Sequence, residues 1–164
     1  MHPFELGPWH DLFVAEAGAA AALAGLLFVA VSINITRILQ FPSLPGRAAE
    51  ALMYLMSVLA VSTFGLIPGQ PVFALGIEVL AFTVLIGGFS GYMQIVANSM
   101  PGQPRYWRIV RASFWVSFTV PMLAGGISLI VGAGGGLYWL PVAMVMAVNA
   151  GVINSWILLV EILR

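Results

Sequence analysis

The chain alternates between long apolar runs and short breaks that are rich in proline and glycine. The apolar runs cover residues of about 12–39, 47–67, 72–97, 105–131 and 137–163. Each reaches roughly the 20 residues that a helix needs to cross the ~30 Å hydrocarbon core of a bilayer. No segment shows the alternation, over roughly ten residues, of a membrane β-barrel strand. The pattern therefore predicts an all-α bundle of five transmembrane helices, forming a single domain over residues 1–164.

Arginine placement predicts how this bundle is oriented. The chain has no lysine, and its six positive residues are Arg37, Arg47, Arg105, Arg108, Arg111 and Arg164. With five spans, all six fall on one side, whereas the connections at 68–71 and 132–136 contain none. Positive residues concentrate on the cytoplasmic side of membrane proteins. We therefore expect the N-terminus outside and the C-terminus in the cytoplasm.

Small residues recur on particular faces of the first and third spans. At about 100° per residue, one face of the first span carries Gly18, Ala22, Gly25 and Ser32, and a stripe on the third carries Gly76, Thr83, Gly87, Ser90, Gly91, Gln94 and Asn98. Such faces let helix backbones approach closely inside a membrane. Because Glu16 and Asn34 lie on the other side of the first span, we expect that helix to be central.

The composition predicts that lipid surrounds most of the surface, and it excludes several kinds of catalytic and metal-binding site. The chain is 61% hydrophobic and 7% charged, with a mean hydropathy of +1.03, whereas soluble domains are about 25% charged. The net charge is zero, so no nucleic-acid partner is expected. Without cysteine or lysine there is no thiol nucleophile, thiolate metal site or Schiff base. No nucleophile–base pair or phosphate loop is present, so we expect no enzymatic activity, no cofactor and no metal site.

Ionisable and polar residues inside the spans are the candidate functional residues, because they are costly to hold in a bilayer. Glu16 and Glu78 lie at similar depths near the outer ends of the first and third spans. We expect them to approach each other and form an outer mouth for a cation or proton. The structural alternative is that each bonds to a neighbouring side chain or reaches the interface. Deeper polar positions on this pathway would be Asn34, Gln94, Asn149 and Asn154.

A second group of charged residues lies towards the cytoplasmic ends of the spans. It comprises Arg37, Arg47, Glu50, Arg108, Arg111 and Glu161, and the second span lines up Glu50, Tyr54 and Ser57 on one face. Two interpretations remain open for the charged group. One is a set of buried ion pairs that fix the positions of the helices. The other is a pocket for an anionic lipid headgroup.

Three segments of the first half resemble small hypothetical integral membrane proteins of bacteria. They are residues 22–34 (ALAGLLFVAVSIN), 44–50 (LPGRAAE) and 66–70 (LIPGQ). The resemblance implies an origin in the bacterial inner membrane, and it implies no site residues.

The sequence therefore predicts a multi-pass protein of the bacterial inner membrane that acts as a small channel or transporter for a cation, proton or small polar solute. The excess of small-residue faces favours a homo-oligomer. The alternative is a non-catalytic accessory or assembly subunit, which would use the same faces to dock onto other membrane subunits.

Overall fold

The computed structural model describes residues 3–41, 44–98 and 105–163 of the chain. It is 88% helical, and no strand occurs within those three ranges, which confirms the all-α prediction. Five of its helices are long and apolar enough to cross a membrane. The chain is therefore built as a multi-pass membrane protein.

The helices begin and end close to the predicted positions. Their bounds are α1 His10–Ile33, α2 Ile35–Ile38, α3 Leu44–Gly65, α4 Val72–Asn98, α5 Arg105–Val131 and α6 Trp139–Leu163. The first predicted span is interrupted at Asn34. The side-chain amide of Asn34 donates a hydrogen bond to the Ala30 carbonyl oxygen at 2.9 Å, so it competes with backbone N–H groups for that acceptor. Helix α3 begins before the predicted residue 47, because Pro45 fits a first helical turn, where its missing N–H is harmless.

Helices α3, α4, α5 and α6 pack in a ring, and α1 packs against α3 from outside that ring. In α3, 56% of the most apolar window is buried, against 22% in α1. The expectation of a central first helix is therefore wrong. Helix α1 buries only one face, through Phe13, Ala20, Ala24 and Leu27, whereas α3 has neighbours on three sides.

The small-residue stripe of α4 is a close-packing face, and it packs against α5. A Cβ atom on Gly76 would lie 2.9 Å from the Cβ of Leu129 and 3.1 Å from the carbonyl oxygen of Gly126. A Cβ atom on Gly87 would lie 3.2 Å from the methyl group of Thr119. Backbone contact at this distance requires glycine, as the sequence pattern predicts for this helix.

The two ends of the bundle differ in composition. At one end Phe13 packs on Gly65, and the rings of Trp9 and Tyr138 meet edge to face at 4.8 Å. The arginines of α3 and α5 lie at the opposite end, where both helices begin. We call this second end, where Arg47, Arg108 and Arg111 lie, the arginine end.

Candidate functional site

A buried ion pair joins α3 to α5 near the arginine end. Nη2 of Arg111 lies 3.1 Å from Oε1 of Glu50, and Nε of Arg111 donates a hydrogen bond to Oε2 at 3.2 Å. Glu50 is 6% exposed, and the Arg111 side chain is 13% exposed. Burying a charge is unfavourable unless a partner compensates it. The guanidinium therefore makes an ionised carboxylate tolerable at this depth.

A small cavity adjoins this pair, enclosed by α3, α4 and α5. Its volume is about 10 Å³, which is close to the space that a single water molecule needs. Its polar lining comes from Glu50, Tyr54, Ser57 and Ser90. The rest of the cavity wall is mostly apolar.

Two aromatic contacts fix the walls of the cavity. Tyr54 meets Phe118 edge to face with ring centroids 5.8 Å apart. The indole N–H of Trp115 donates to the carbonyl oxygen of Gly87 at 2.9 Å. Both contacts join different helices, so they hold the lining side chains in place.

One oxygen of the buried carboxylate has spare hydrogen-bonding capacity. Arg111 is near Oε1 of Glu50, but no donor among the described residues reaches that oxygen with hydrogen-bond geometry. Oε1 is therefore compensated by the charge of Arg111 rather than by a well-aligned hydrogen bond.

Gln94, which was predicted to lie on the pathway, and the other members of the predicted cytoplasmic group lie around this pair or outside it. Gln94 is buried, and its Nε2 donates to the backbone carbonyl oxygen of Arg111 at 3.4 Å. Arg47 is buried and has an interaction partner. Arg37 and Arg108 are exposed. The side chain of Glu161 lies outside the described part of the structure.

The remaining polar positions of the predicted pathway are spread over the end of α1, α4 and α6. Asn34 and Asn149 each donate to a carbonyl oxygen of their own helix at 2.9 Å, and Asn154 is buried in α6. Glu16 is half-buried on α1. Glu78 is half-buried on α4 and accepts a hydrogen bond from Gln70 at 2.6 Å. The approach of Glu16 to Glu78 stays a prediction.

Sequence reasoning found the polar face of α3 but missed one wall of the cavity. Glu50, Tyr54 and Ser57 recur at helical spacing, which placed them together. Trp115 has no such signal, because a tryptophan in the first half of an apolar helix is also typical of lipid contact. Its role follows only from the position of Gly87 on the neighbouring helix.

No protein-family model matches this chain, and neither the curated proteins nor the solved structures contain a significant match.

Proposed function

We propose that the chain is a small channel or transporter of the bacterial inner membrane, that it works as a homo-oligomer, and that a proton is the species it handles. The observation that carries this proposal is the buried ion pair of Glu50 with Arg111 beside a water-sized cavity. Ionisable groups inside a membrane mark proton relays and ion pathways. A cavity of about 10 Å³ has room for a water molecule and its protons, and too little for a polar organic solute.

Arg111 gives Glu50 two useful states. When Glu50 is ionised, the pair with Arg111 is neutral and sits close to the arginine end. When a hydronium ion in the cavity gives a proton to Glu50 and leaves a water molecule, the attraction between the two side chains falls. Glu50 then releases that proton towards the arginine end, and its pair with Arg111 forms again.

Glu16 and Glu78 take the outer position in this proposal. Both lie towards the end of the bundle opposite the arginine end, where α1 and α4 begin. Two carboxylates there raise the local concentration of protons and cations. The arginine end faces the cytoplasm, in accordance with the distribution of positive residues in membrane proteins.

Proton flux into proteoliposomes tests the proposal. A pH-sensitive dye inside the vesicles and a potassium diffusion potential give the readout and the driving force. Wild-type protein should acidify the vesicles. The double variant Glu50→Gln with Arg111→Gln should not, because it removes the titratable group without leaving an unpaired buried charge. The control Glu5→Gln changes an exposed carboxylate outside the long helices and should retain full flux.

The same assay separates the inner site from the outer mouth. Glu16→Gln and Glu78→Gln should each reduce the flux if these carboxylates form the mouth. Retained flux in both variants, with loss in the double variant, would place the pathway at Glu50 alone. A folded wild-type protein that carries neither protons nor any common cation would refute the transport function.

An accessory subunit is the second candidate, and the outer face of α1 favours it. Gly18, Ala22 and Gly25 are exposed, and Cβ atoms on Gly18 and Gly25 would have no neighbour within 4 Å. Small residues on an exposed helix face are suited to close contact with another chain. The size of the purified protein in mild detergent discriminates between the two functions. A homo-oligomer supports transport, and a monomer that co-purifies in fixed ratio with other membrane proteins supports the accessory function.

A further inference from the structure

An exposed asparagine lies near the middle of a long apolar helix. Asn149 is on the outward face of α6, about 15 Å from the first residue of that helix at a rise of about 1.5 Å per residue. One N–H of its amide donates to the carbonyl oxygen of Val145 in the same helix at 2.9 Å. An asparagine side chain offers two N–H donors and one acceptor oxygen. The second N–H and the oxygen of Asn149 therefore have no partner among the described residues.

Exposed hydroxyl groups on the long helices are satisfied in another way. Ser32 and Thr63 each donate their only hydroxyl hydrogen to a carbonyl oxygen of their own helix at 2.8 Å. Such a bond leaves no unpaired donor on a side chain that faces lipid. The amide of Asn149 has more polar atoms than its own helix satisfies, and an unsatisfied polar group is costly in the hydrocarbon region of a bilayer. The amide therefore requires a polar partner at the same depth in the membrane.

We propose that the outward face of α6 is an interface between two copies of this chain, related by a two-fold axis along the membrane normal, in which the two Asn149 amides hydrogen-bond to each other. Copies that insert with the same orientation place their Asn149 residues at equal depth. An asparagine amide is also its own complement, because an N–H of each can donate to the oxygen of the other. A second copy thus supplies the donor and the acceptor that the amide lacks.

The side chains around Asn149 suit such an interface. Along the exposed face they recur at intervals of four and three residues, as in the seam between two coiled helices. We call them the α6 seam, and they are Val142, Met146, Asn149, Ile153, Trp156 and Val160. All except Asn149 are apolar, and apolar side chains at this spacing interlock between parallel helices, where a single asparagine specifies the register. Hydrogen bonds between polar side chains also stabilise the association of membrane helices.

This inference rests on the homo-oligomer of the proposed function and locates its interface, but it does not depend on proton transport. Asn149 is not among the residues that line the cavity beside Glu50. A protein that associates through the α6 seam and carries no protons would keep this inference and refute transport. A protein that carries protons and makes no contact at the α6 seam would refute this inference alone.

Disulfide cross-linking of the full chain in native membranes tests the interface, because the chain has no cysteine of its own. Ile153→Cys lies in the α6 seam. Leu85→Cys is the matched control, since Leu85 is exposed on α4 at a similar distance from the start of its helix. With copper phenanthroline as the oxidant, Ile153→Cys should form a disulfide-linked dimer of the chain, and Leu85→Cys should not. Equal yields from the two variants, no dimer from Ile153→Cys, or its cross-linking to a different protein would overturn the proposal.

Substitution of Asn149 tests the hydrogen bond between the copies. Asn149→Leu replaces the amide with two methyl groups and should raise the dissociation constant of the dimer about tenfold. Asn149→Gln keeps a donor and an acceptor and should retain most of the association. Thr63→Val is the matched control, because it removes an exposed hydroxyl that is already bonded within α3, and it should leave the constant unchanged.

Fluorescence energy transfer between labelled chains in detergent micelles gives the dissociation constants. Circular dichroism checks that each variant keeps its helix content, which is expected because Asn149 is exposed. A dissociation constant of Asn149→Leu equal to that of the wild type would overturn the pairing of the amides, and so would an equal rise in Thr63→Val.

Discussion

Glu50 and Arg111 depend on each other at the scale of single residues. Each is enclosed by the bundle, so neither can exchange its partner for bulk water. Removing one member of a buried ion pair leaves an uncompensated charge. Replacing both members with neutral groups leaves no uncompensated charge, although the attraction between them is lost. The pair is therefore expected to be strongly coupled in its effect on stability.

A double-mutant cycle measures this coupling. Glu50→Gln and Arg111→Gln should each lower the free energy of unfolding by about 3–5 kcal/mol, and the combined variant should lose clearly less than the sum of the two. Unfolding in mixed micelles, followed by circular dichroism, gives the values, with Glu5→Gln as the control that changes an exposed carboxylate. Additive losses would show that the two side chains do not act as a pair.

The sequence placed Glu50 and Arg111 in one cluster but could not select them as partners. Arg37, Arg47, Arg108 and Arg111 all lie near the cytoplasmic ends of the predicted spans. Which guanidinium reaches Glu50 depends on the rotation of α5 about its axis and on its distance from α3. Both quantities are set by tertiary contacts, such as that between Trp115 and Gly87, which local sequence does not encode.

At the scale of helices, glycine has two different roles in this chain. Gly76 and Gly126 let the backbones of α4 and α5 touch, since Cβ atoms at either position would lie within about 3.2 Å of backbone oxygen on the other helix. Gly25 on α1 has open space around it. The same residue type therefore serves a contact within the chain in one helix and lies on an outward face in another.

Substitution by leucine distinguishes these roles. Gly76→Leu should lower the free energy of unfolding by at least about 1–3 kcal/mol, because the side chain separates two packed backbones. Gly25→Leu should leave the fold unchanged, and it should reduce the size of the particle in mild detergent if the outer face of α1 joins copies of the chain. Thermal unfolding and light scattering of both variants provide the two readouts. Unchanged stability of Gly76→Leu would contradict the α4–α5 packing, and unchanged size of Gly25→Leu would remove α1 from the oligomer interface.

The sequence predicted the helices well and their neighbours less well. Apolar length and proline–glycine breaks determine where a membrane helix can begin and end, so α4 and α5 were found nearly to the residue. A stripe of small residues shows that a close approach is feasible, but it does not identify the partner. The stripe on α4 meets α5 within the chain, whereas that on α1 meets no other part of the described chain, and this difference caused the wrong placement of α1 at the centre.

At the scale of the whole molecule, the arginines of α3 and α5 are concentrated at one end of the bundle. Arg47, Arg108 and Arg111 lie at one end, and Trp9 and Tyr138 lie at the other. The proposed proton site is close to the arginine end. The proposed function therefore requires that the long helices cross the bilayer and that the arginine end faces the cytoplasm.

Labelling of single cysteines in intact cells tests this requirement directly, because the chain contains no cysteine of its own. Exposed positions at or beyond the ends of the long helices are available at Ile67 and Ala133 on one side and at Gln40 and Gly46 on the other. An impermeant maleimide should label Ile67→Cys and Ala133→Cys in intact cells, and label Gln40→Cys and Gly46→Cys only after permeabilisation. Labelling of Gln40→Cys and Gly46→Cys alone would reverse the orientation, and labelling of both Gly46→Cys and Ile67→Cys in intact cells would show that α3 does not cross the membrane.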